Sequence, residues 1–344
     1  MQLETSPNTT AIIEGKEYLF FSGTSYLGVS MLPEFQELIF KSIKKWGISY
    51  GSSRNANLKL DIYQKGENYL GDFLNYEDAV TVSSGTLASQ FALRSLDTFV
   101  DDFYHMPKTH PSILPDRSSP VFVGFTLNSS LKEVKNKTIC IVADGIAALE
   151  TQPFLFNFLQ EISSTNTIYL LIDESHSLGI LGKNGNGIST TILSTKNLKI
   201  ITVSSLGKAF GINGGVIAGA TDFINSVKKD PLFIGSAGMT PAFLESFMQS
   251  QQIYARQQEK LKENIAFVST KLSHLKEVSM SNNYPVFFFK DGKIADYLYQ
   301  KNILITSFYY PATPQKINRI VINANHTKEQ LEKLVENLIA FSQI

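Results

Sequence analysis

A single cysteine, Cys140, stands in 344 residues. That excludes an internal disulfide framework and a multi-cysteine zinc site. Inside the apolar run TICIVA it reads as a buried core thiol rather than a nucleophile. Surplus charge is missing too: 31 Lys+Arg balance 31 Asp+Glu, a formal net charge of +0. A protein that binds nucleic acid by neutralising phosphates carries a basic excess, so that class is set aside. No run of about 18 apolar residues offers a membrane span. The first residues, MQLETSPNTTAIIEGKEY, lack a basic segment followed by an apolar one, so the sequence predicts a cytoplasmic protein without a secretory signal. The Asn-x-Ser/Thr triplets at Asn8, Asn128, Asn136 and Asn325 are then chance matches. Repeats and low-complexity tracts are absent as well.

What remains is ordinary globular material, 43% hydrophobic and 18% charged. Continuous Val/Ile/Leu runs at 79–84 (AVTVSS), 138–144 (TICIVAD), 167–173 (TIYLLID), 199–205 (KIITVSS) and 214–220 (GGVIAGA) predict strands buried on both faces. Helical stretches are expected between them, including TLASQFALRSL after Gly85 and FLFNFLQEIS after Pro153. Alternation of this kind predicts an α/β fold with a mostly parallel central sheet covered by helices. After about residue 235 a long amphipathic stretch, AFLESFMQSQQIYARQQEKLKENIAFVSTKLSHL, leads to strands at 285–290 and 319–325 and a terminal helix. The expected organisation is an N-terminal segment (1–40) packing on a smaller α+β domain (236–344), and a large ligand-binding domain (41–235).

Ligands of parallel α/β sheets bind beyond the carboxyl ends of the strands, and each predicted strand there ends in a polar cluster. Ser84-Gly85-Thr86 opens a helix, where free backbone N–H groups attract an anion. Asp173 is followed by His176; an aspartate at such depth calls for a cation or a protonated ring nitrogen, and no further ligands at suitable spacing support a metal. Lys208 lies in SSLGKAFG between Gly207 and Gly211. Small neighbours let something bulky approach the amine, which suits a Schiff-base nucleophile. Other motifs fail: a P-loop would need Gly where Thr202 stands, Gly182–Gly187 reads as a surface turn rather than a dinucleotide loop, and no G-x-S-x-G occurs.

Taken in order, an anion turn, a strand-end Asp with His three residues on, and a Lys about 35 residues later resemble the fold-type I pyridoxal-phosphate (PLP) enzymes. The likeness is closest to the α-oxoamine synthases, the group that includes 8-amino-7-oxononanoate synthase and 2-amino-3-ketobutyrate CoA ligase. SYLGVSMLPEF resembles their N-Y-L-G-L-x-x-x-P-E segment, SSGTLAS their S-S-G-x-x-A-N, DESHSLGILGKNGNG their D-[DE]-A-H-x-x-G-x-x-G-x-x-G-x-G, and SSLGKAFGINGG their T-x-[GS]-K-A-x-G-x-x-G-G. The resemblance implies a homodimer with shared active sites that joins an α-amino acid, alanine or glycine, to an acyl thioester and releases CoA and CO₂. It implies that Lys208 carries the cofactor and a proton, Asp173 pairs with the ring nitrogen, His176 bonds the phenolic oxygen, and His110 stacks on the ring. Ser84, Gly85, Thr86 and Ser205 would hold the phosphate, with Ser236 beside a contact from the neighbouring subunit. Arg319 would grip the amino-acid carboxylate, with Ser25 near the substrate. The chain departs from the pattern at Ser25 (Asn in the family), Ala148 (Ser) and Ala237 (Thr). Transamination, aldol cleavage, or a non-catalytic binding module on the same fold are the alternatives.

Overall fold

The computed structural model describes residues 2–133, 136–309 and 316–343. They form two compact units, one of residues 1–33 and 252–344, the other of residues 34–251. The dividing points lie near 33 and 251, against the expected 40 and 235.

The chain begins with a hairpin of β1 (Thr10–Ile13) and β2 (Lys16–Phe21), then enters the larger unit through α1 (Pro33–Trp46) and α2 (Asp61–Leu74). There β3 (Asp78–Val82), α3 (Gly85–Leu96), β4 (Asp102–His105), β5 (Ser119–Pro120), a small hairpin of β6 (Phe122–Val123) and β7 (Thr126–Leu127), α4 (Ser129–Glu133), β8 (Thr138–Asp144), β9 (Thr167–Asp173), β10 (Leu198–Ser205) and β11 (Gly215–Gly219) follow in turn. Three helices, α5 (Thr221–Lys229), α6 (Pro231–Gly235) and α7 (Pro241–Gln249), complete it. The seven-stranded sheet runs β3-β11-β10-β9-β8-β4-β5. Strands β10, β9, β8, β4 and β5 are parallel, whereas β11 is antiparallel to both β10 and β3. Only residues 206–214 join β10 to β11, too few for a parallel crossover of a dozen or more.

The strands read as unbroken apolar runs because each side of the sheet has its own core. Ile139, Ile141, Ile168, Leu170 and Ile172 pack on one face with Phe156 and Phe158. Cys140, Val142, Leu171 and Val203 pack on the other with Phe91, Leu96 and Ile224 from α3 and α5. Successive side chains alternate sides, as the two-residue period of a strand requires.

In the smaller unit α8 (Gln251–Leu272), β12 (Val278–Ser279), β13 (Val286–Phe289), α9 (Ile294–Gln300), β14 (Ile303–Tyr309), β15 (Lys316–Val321) and α10 (Lys328–Phe341) join the N-terminal hairpin. Its six-stranded sheet runs β1-β2-β14-β15-β13-β12, with β2 and β14 parallel. Thr327 caps α10 by accepting from the Gln330 amide at 3.3 Å, while Gln330 Oε1 accepts from the Thr327 amide at 3.1 Å, a reciprocal capping box.

Two expected helices differ. The stretch after Pro153 is an irregular segment ending in a 3₁₀ turn, Asn157–Glu161. Phe156 and Phe158 are both buried while Leu155 is exposed, a two-residue alternation that an α-helix cannot present to one face. The long stretch after Pro241 is broken at Ser250, where the serine hydroxyl donates back to the Ser246 carbonyl at 2.7 Å. Such back-bonding competes with the helix ladder and bends it.

Candidate active site

At the carboxyl ends of β8, β9 and β10 lies a cavity of about 300 Å³ lined by Ser84, Gly85, Thr86, His110, Ser112, Asp144, Asp173, Ser175, His176, Ser205 and Lys208. Eight of the residues singled out from the sequence therefore meet: Ser84, Gly85, Thr86, His110, Asp173, His176, Ser205 and Lys208. Three do not line it. Ser236 ends α6 in the same unit, its Oγ donating to the Phe233 carbonyl at 3.0 Å. Ser25 and Arg319 belong to the smaller unit.

One wall is the turn into α3. Ser84 is its N-cap, with Oγ accepting from the Leu87 amide at 3.3 Å. The amides of Gly85 and Thr86 head the helix and have no intrahelical acceptor, so they suit an anion. Glycine is required at 85: a Cβ there would lie 2.6 Å from Ser205 Cβ and 2.9 Å from the Ser205 backbone nitrogen.

The floor is acidic. Asp173 closes β9 and Asp144 closes β8, directly opposite in register. Both are buried, at 9% and 3% exposure. Asp173 Oδ1 accepts from the Ser175 amide at 2.8 Å. Asp144 Oδ2 accepts from the His110 amide at 2.8 Å. Burial first, and the neighbouring Asp173 carboxylate second, push the Asp144 carboxyl up to about 7, with Lys208 acting in the opposite sense.

His110 sits in the loop after β4. Its Nδ1 accepts from the Ser112 amide at 3.2 Å, which leaves the proton of the neutral ring on Nε2. Burial lowers its pKa, Asp173 raises it and Lys208 lowers it, so the ring is neutral at pH 7 and offers a flat face without charge. Ser205 is tied in by its amide, which donates to Ser175 Oγ at 2.8 Å, and its own Oγ accepts from the Gly207 amide at 3.2 Å. These bonds fix the chain just ahead of Lys208.

The loop after β9 is wound around Glu174, which is fully buried. Its carboxylate accepts from the amides of Ile188 and Ser189 at 2.9 and 2.7 Å, and from the Ser177 hydroxyl. A Cβ at Gly187 would come within 2.7 Å of that carboxyl carbon. The GKNGNG run is thus a surface turn only in its first half; Gly185 and Gly187 are buried.

Reasoning from sequence gave no role to Asp144, Ser112 or Ser175, although Asp144 and Ser175 stand in the polar clusters that end their strands. Strand-end position was the available signal for Asp144, which closes an apolar run as Asp173 does. A wider hollow of about 870 Å³ opens at the opposite ends of the same strands, between Tyr169, Lys199 and Asp222. Its lysine is engaged, with Nζ donating to Tyr169 Oη at 3.2 Å. In the smaller unit, one Arg319 nitrogen donates to the Gly23 carbonyl at 3.3 Å while Nε is buried without a partner. The Ser25 carbonyl accepts from Asn323 Nδ2 at 2.6 Å, which fixes that turn.

Known proteins resemble the chain over nearly its whole length. It is 25% identical to an 8-amino-7-oxononanoate synthase of Petrotoga mobilis over 356 residues, covering 96% of this chain and 90% of that one. It is 24% identical to a serine palmitoyltransferase of Bacteriovorax stolpii, covering 97% and 84%. A solved serine palmitoyltransferase of Sphingomonas wittichii superposes with a TM-score of 0.82 at 17% identity, over 99% of this chain and 92% of that one. An 8-amino-7-oxononanoate synthase of Francisella tularensis gives 0.72 at 24%, over 95% and 99%. Residues 131–338 match the family Aminotransferase class I and II, a span that holds Asp144, Asp173, His176, Ser205 and Lys208, and the chain belongs to that family.

Proposed function

We propose that the protein is a PLP-dependent acyltransferase of the α-oxoamine synthase type, joining alanine or glycine to an acyl thioester with release of CoA and CO₂. The observation that carries this reading is the convergence of one amine, a strand-end acid, two imidazoles and a helix N-terminus on a single cavity. The cavity fits the cofactor on its own terms. The buried Asp173 carboxylate calls for a cation, the amides of Gly85 and Thr86 at the start of α3 suit an anion, and the neutral His110 ring offers a face for stacking. Both 8-amino-7-oxononanoate synthases and serine palmitoyltransferases among the relatives support the same reaction class.

In this reading Lys208 would hold PLP through its amine, and the same amine would hold and return a proton. Asp173 would pair with the ring nitrogen, His176 with the phenolic oxygen, and the Gly85 and Thr86 amides with the Ser84 and Ser205 hydroxyls would hold the phosphate. PLP, when bound, supplies the electron sink that stabilises a carbanion next to the amino group. By the resemblance Arg319, whose buried Nε lacks an acceptor, would bind the amino-acid carboxylate, and Ser25 would be a substrate residue. Ser236 would stand beside the phosphate contact that a neighbouring subunit supplies in a homodimer.

Purified protein given PLP is expected to show a visible absorbance band that Lys208→Ala abolishes, and borohydride reduction should label Lys208 alone. With alanine or glycine and a panel of acyl-CoAs, free thiol and a new aminoketone are expected. Keto-acid formation without thiol release would instead assign transamination, the reaction named by the family. A featureless spectrum in wild type and variant alike would leave a binding module.

A further inference from the structure

Two carboxyl groups, not one, close the floor of the cavity, and the second has no role in the reading above. Asp144 stands across from Asp173 on the adjoining strand, is 3% exposed and lines the same space. Its Oδ2 accepts from the His110 amide at 2.8 Å. Around that bond the His110 loop is stitched down further. Thr109 Oγ1 donates to the Met106 carbonyl at 2.7 Å, and Lys108, in the left-handed region at φ 62°, pairs with Glu150 beyond the end of β8. Gly145 is equally confined, since a Cβ there would lie 2.9 Å from Glu174 Oε2.

We propose that Asp144 is a positioning residue of the cofactor site, tying the His110 backbone to the end of β8 with one oxygen while its charge acts across the cavity on Asp173 and Lys208. This rests on the cavity being a PLP site. A carboxyl kept so close to a second acid, where burial favours the protonated form, is costly, and a fold that served only to pack would place an apolar side chain there. The titratable groups around it are Asp173 at the end of β9, Lys208 after β10, His110 in the loop after β4 and His176 after β9, with Glu174 packed behind Gly145. Of these, Asp173 and Lys208 act on its charge most directly. A negative charge at 144 favours protons held on the cofactor and on the lysine nitrogen, so its removal lowers the pH at which those protons leave.

Two substitutions separate the two actions. Asp144→Asn keeps an acceptor for the His110 amide and removes the charge. The visible band of its PLP-loaded form should titrate with a midpoint about half a unit or more below that of wild type, with PLP affinity within about threefold. Asp144→Ala removes both, and PLP affinity should fall about tenfold, the scale of one lost hydrogen bond in a desolvated site. Hydrogen exchange followed by mass spectrometry on wild-type protein needs no variant: the peptide holding His110 should be protected without cofactor, and the Ala variant should lose that protection. Superimposable titrations of wild type and Asp144→Asn, or an unprotected His110 amide in wild type, overturn the inference. A wild-type protein that gives no band with PLP overturns the reading beneath it and the inference together, and that outcome is distinct from the first two.

Discussion

A carboxyl group shut away from water keeps its proton to higher pH, and a second acid alongside keeps it higher still. Asp144 meets both conditions and is pushed up to about 7. Because its folded pKa lies above the unfolded value, the native chain binds more protons than the unfolded chain through the interval between the two. Its contribution to stability is therefore present in full below about pH 4, is lost as pH rises toward 7, and stays lost above. Thermal melts of the cofactor-free protein should show Asp144→Asn gaining on wild type across that interval and holding the gain beyond it. The gain is bounded by about 4 kcal/mol, three pKa units at 1.36 kcal/mol each. A difference independent of pH would mean that the charge at 144 is not buried against Asp173. His326 behaves in the opposite sense without bearing on the cavity. Burial holds it down to about 4, and the neutral ring packs on Phe21 at a centroid distance of 4.1 Å.

At the scale of elements, the turn that leads β3 into α3 decides whether an anion can approach. Gly85→Ala would drive a methyl group against the Ser205 backbone, at 2.8 Å from Cα and 2.9 Å from N. Ser205 in turn is held by Ser175 Oγ, so neither side can yield cheaply. The expected outcome is loss of PLP binding by at least about tenfold together with about 1–3 kcal/mol of stability, the usual cost of overpacking, read by PLP titration and by denaturant melts. Loss of stability alone, with PLP affinity kept, would place the anion elsewhere. The same elements show what sequence could and could not disclose. Strands buried on both faces, such as Thr138–Asp144 and Thr167–Asp173, write continuous apolar runs, and the groups at their ends follow. Lys208, Asp173 and the Ser84–Thr86 turn were legible for that reason. The antiparallel insertion of β11, the irregular path of Phe154–Phe156 into a 3₁₀ turn and the break at Ser250 were not. They depend on connection length, on which face an aromatic ring finds, and on a serine hydroxyl turning back on its own helix. Strand β14 was missed because its burial is partial toward Tyr309, so the run ILITSFY lacks the unbroken apolar signal. Asp144 was seen as a strand-end acid, but its meaning needs the cross-strand register that sets it against Asp173.

For the whole molecule, the single chain leaves apolar surface that its own core does not use. In the larger unit Phe40, Ile48, Leu58 and Leu232 are 64%, 73%, 74% and 56% exposed. Scattered exposed side chains are ordinary, but Phe40 lies in α1, Ile48 and Leu58 between α1 and α2, and Leu232 in α6, which Ser236 caps. A second copy of the chain covering Leu232 would bring the end of α6, and with it Ser236, next to an interface, as the proposed homodimer requires, and closed two-fold pairs are the commonest such assembly. Light scattering on the PLP-loaded protein should then return twice the chain mass. Changing Ile48 and Leu58 together to Glu places charge where desolvation would be needed. It costs little in a lone chain, where both side chains already face water, and should shift the mass toward that of one chain. If Ser236 reaches the partner's phosphate, PLP should dissociate at least about tenfold faster from the separated chains, whereas far-ultraviolet circular dichroism stays unchanged. A wild-type protein that runs as one chain and still holds PLP tightly would mean that each cavity is complete in itself, and Ser236 would then have no part in it.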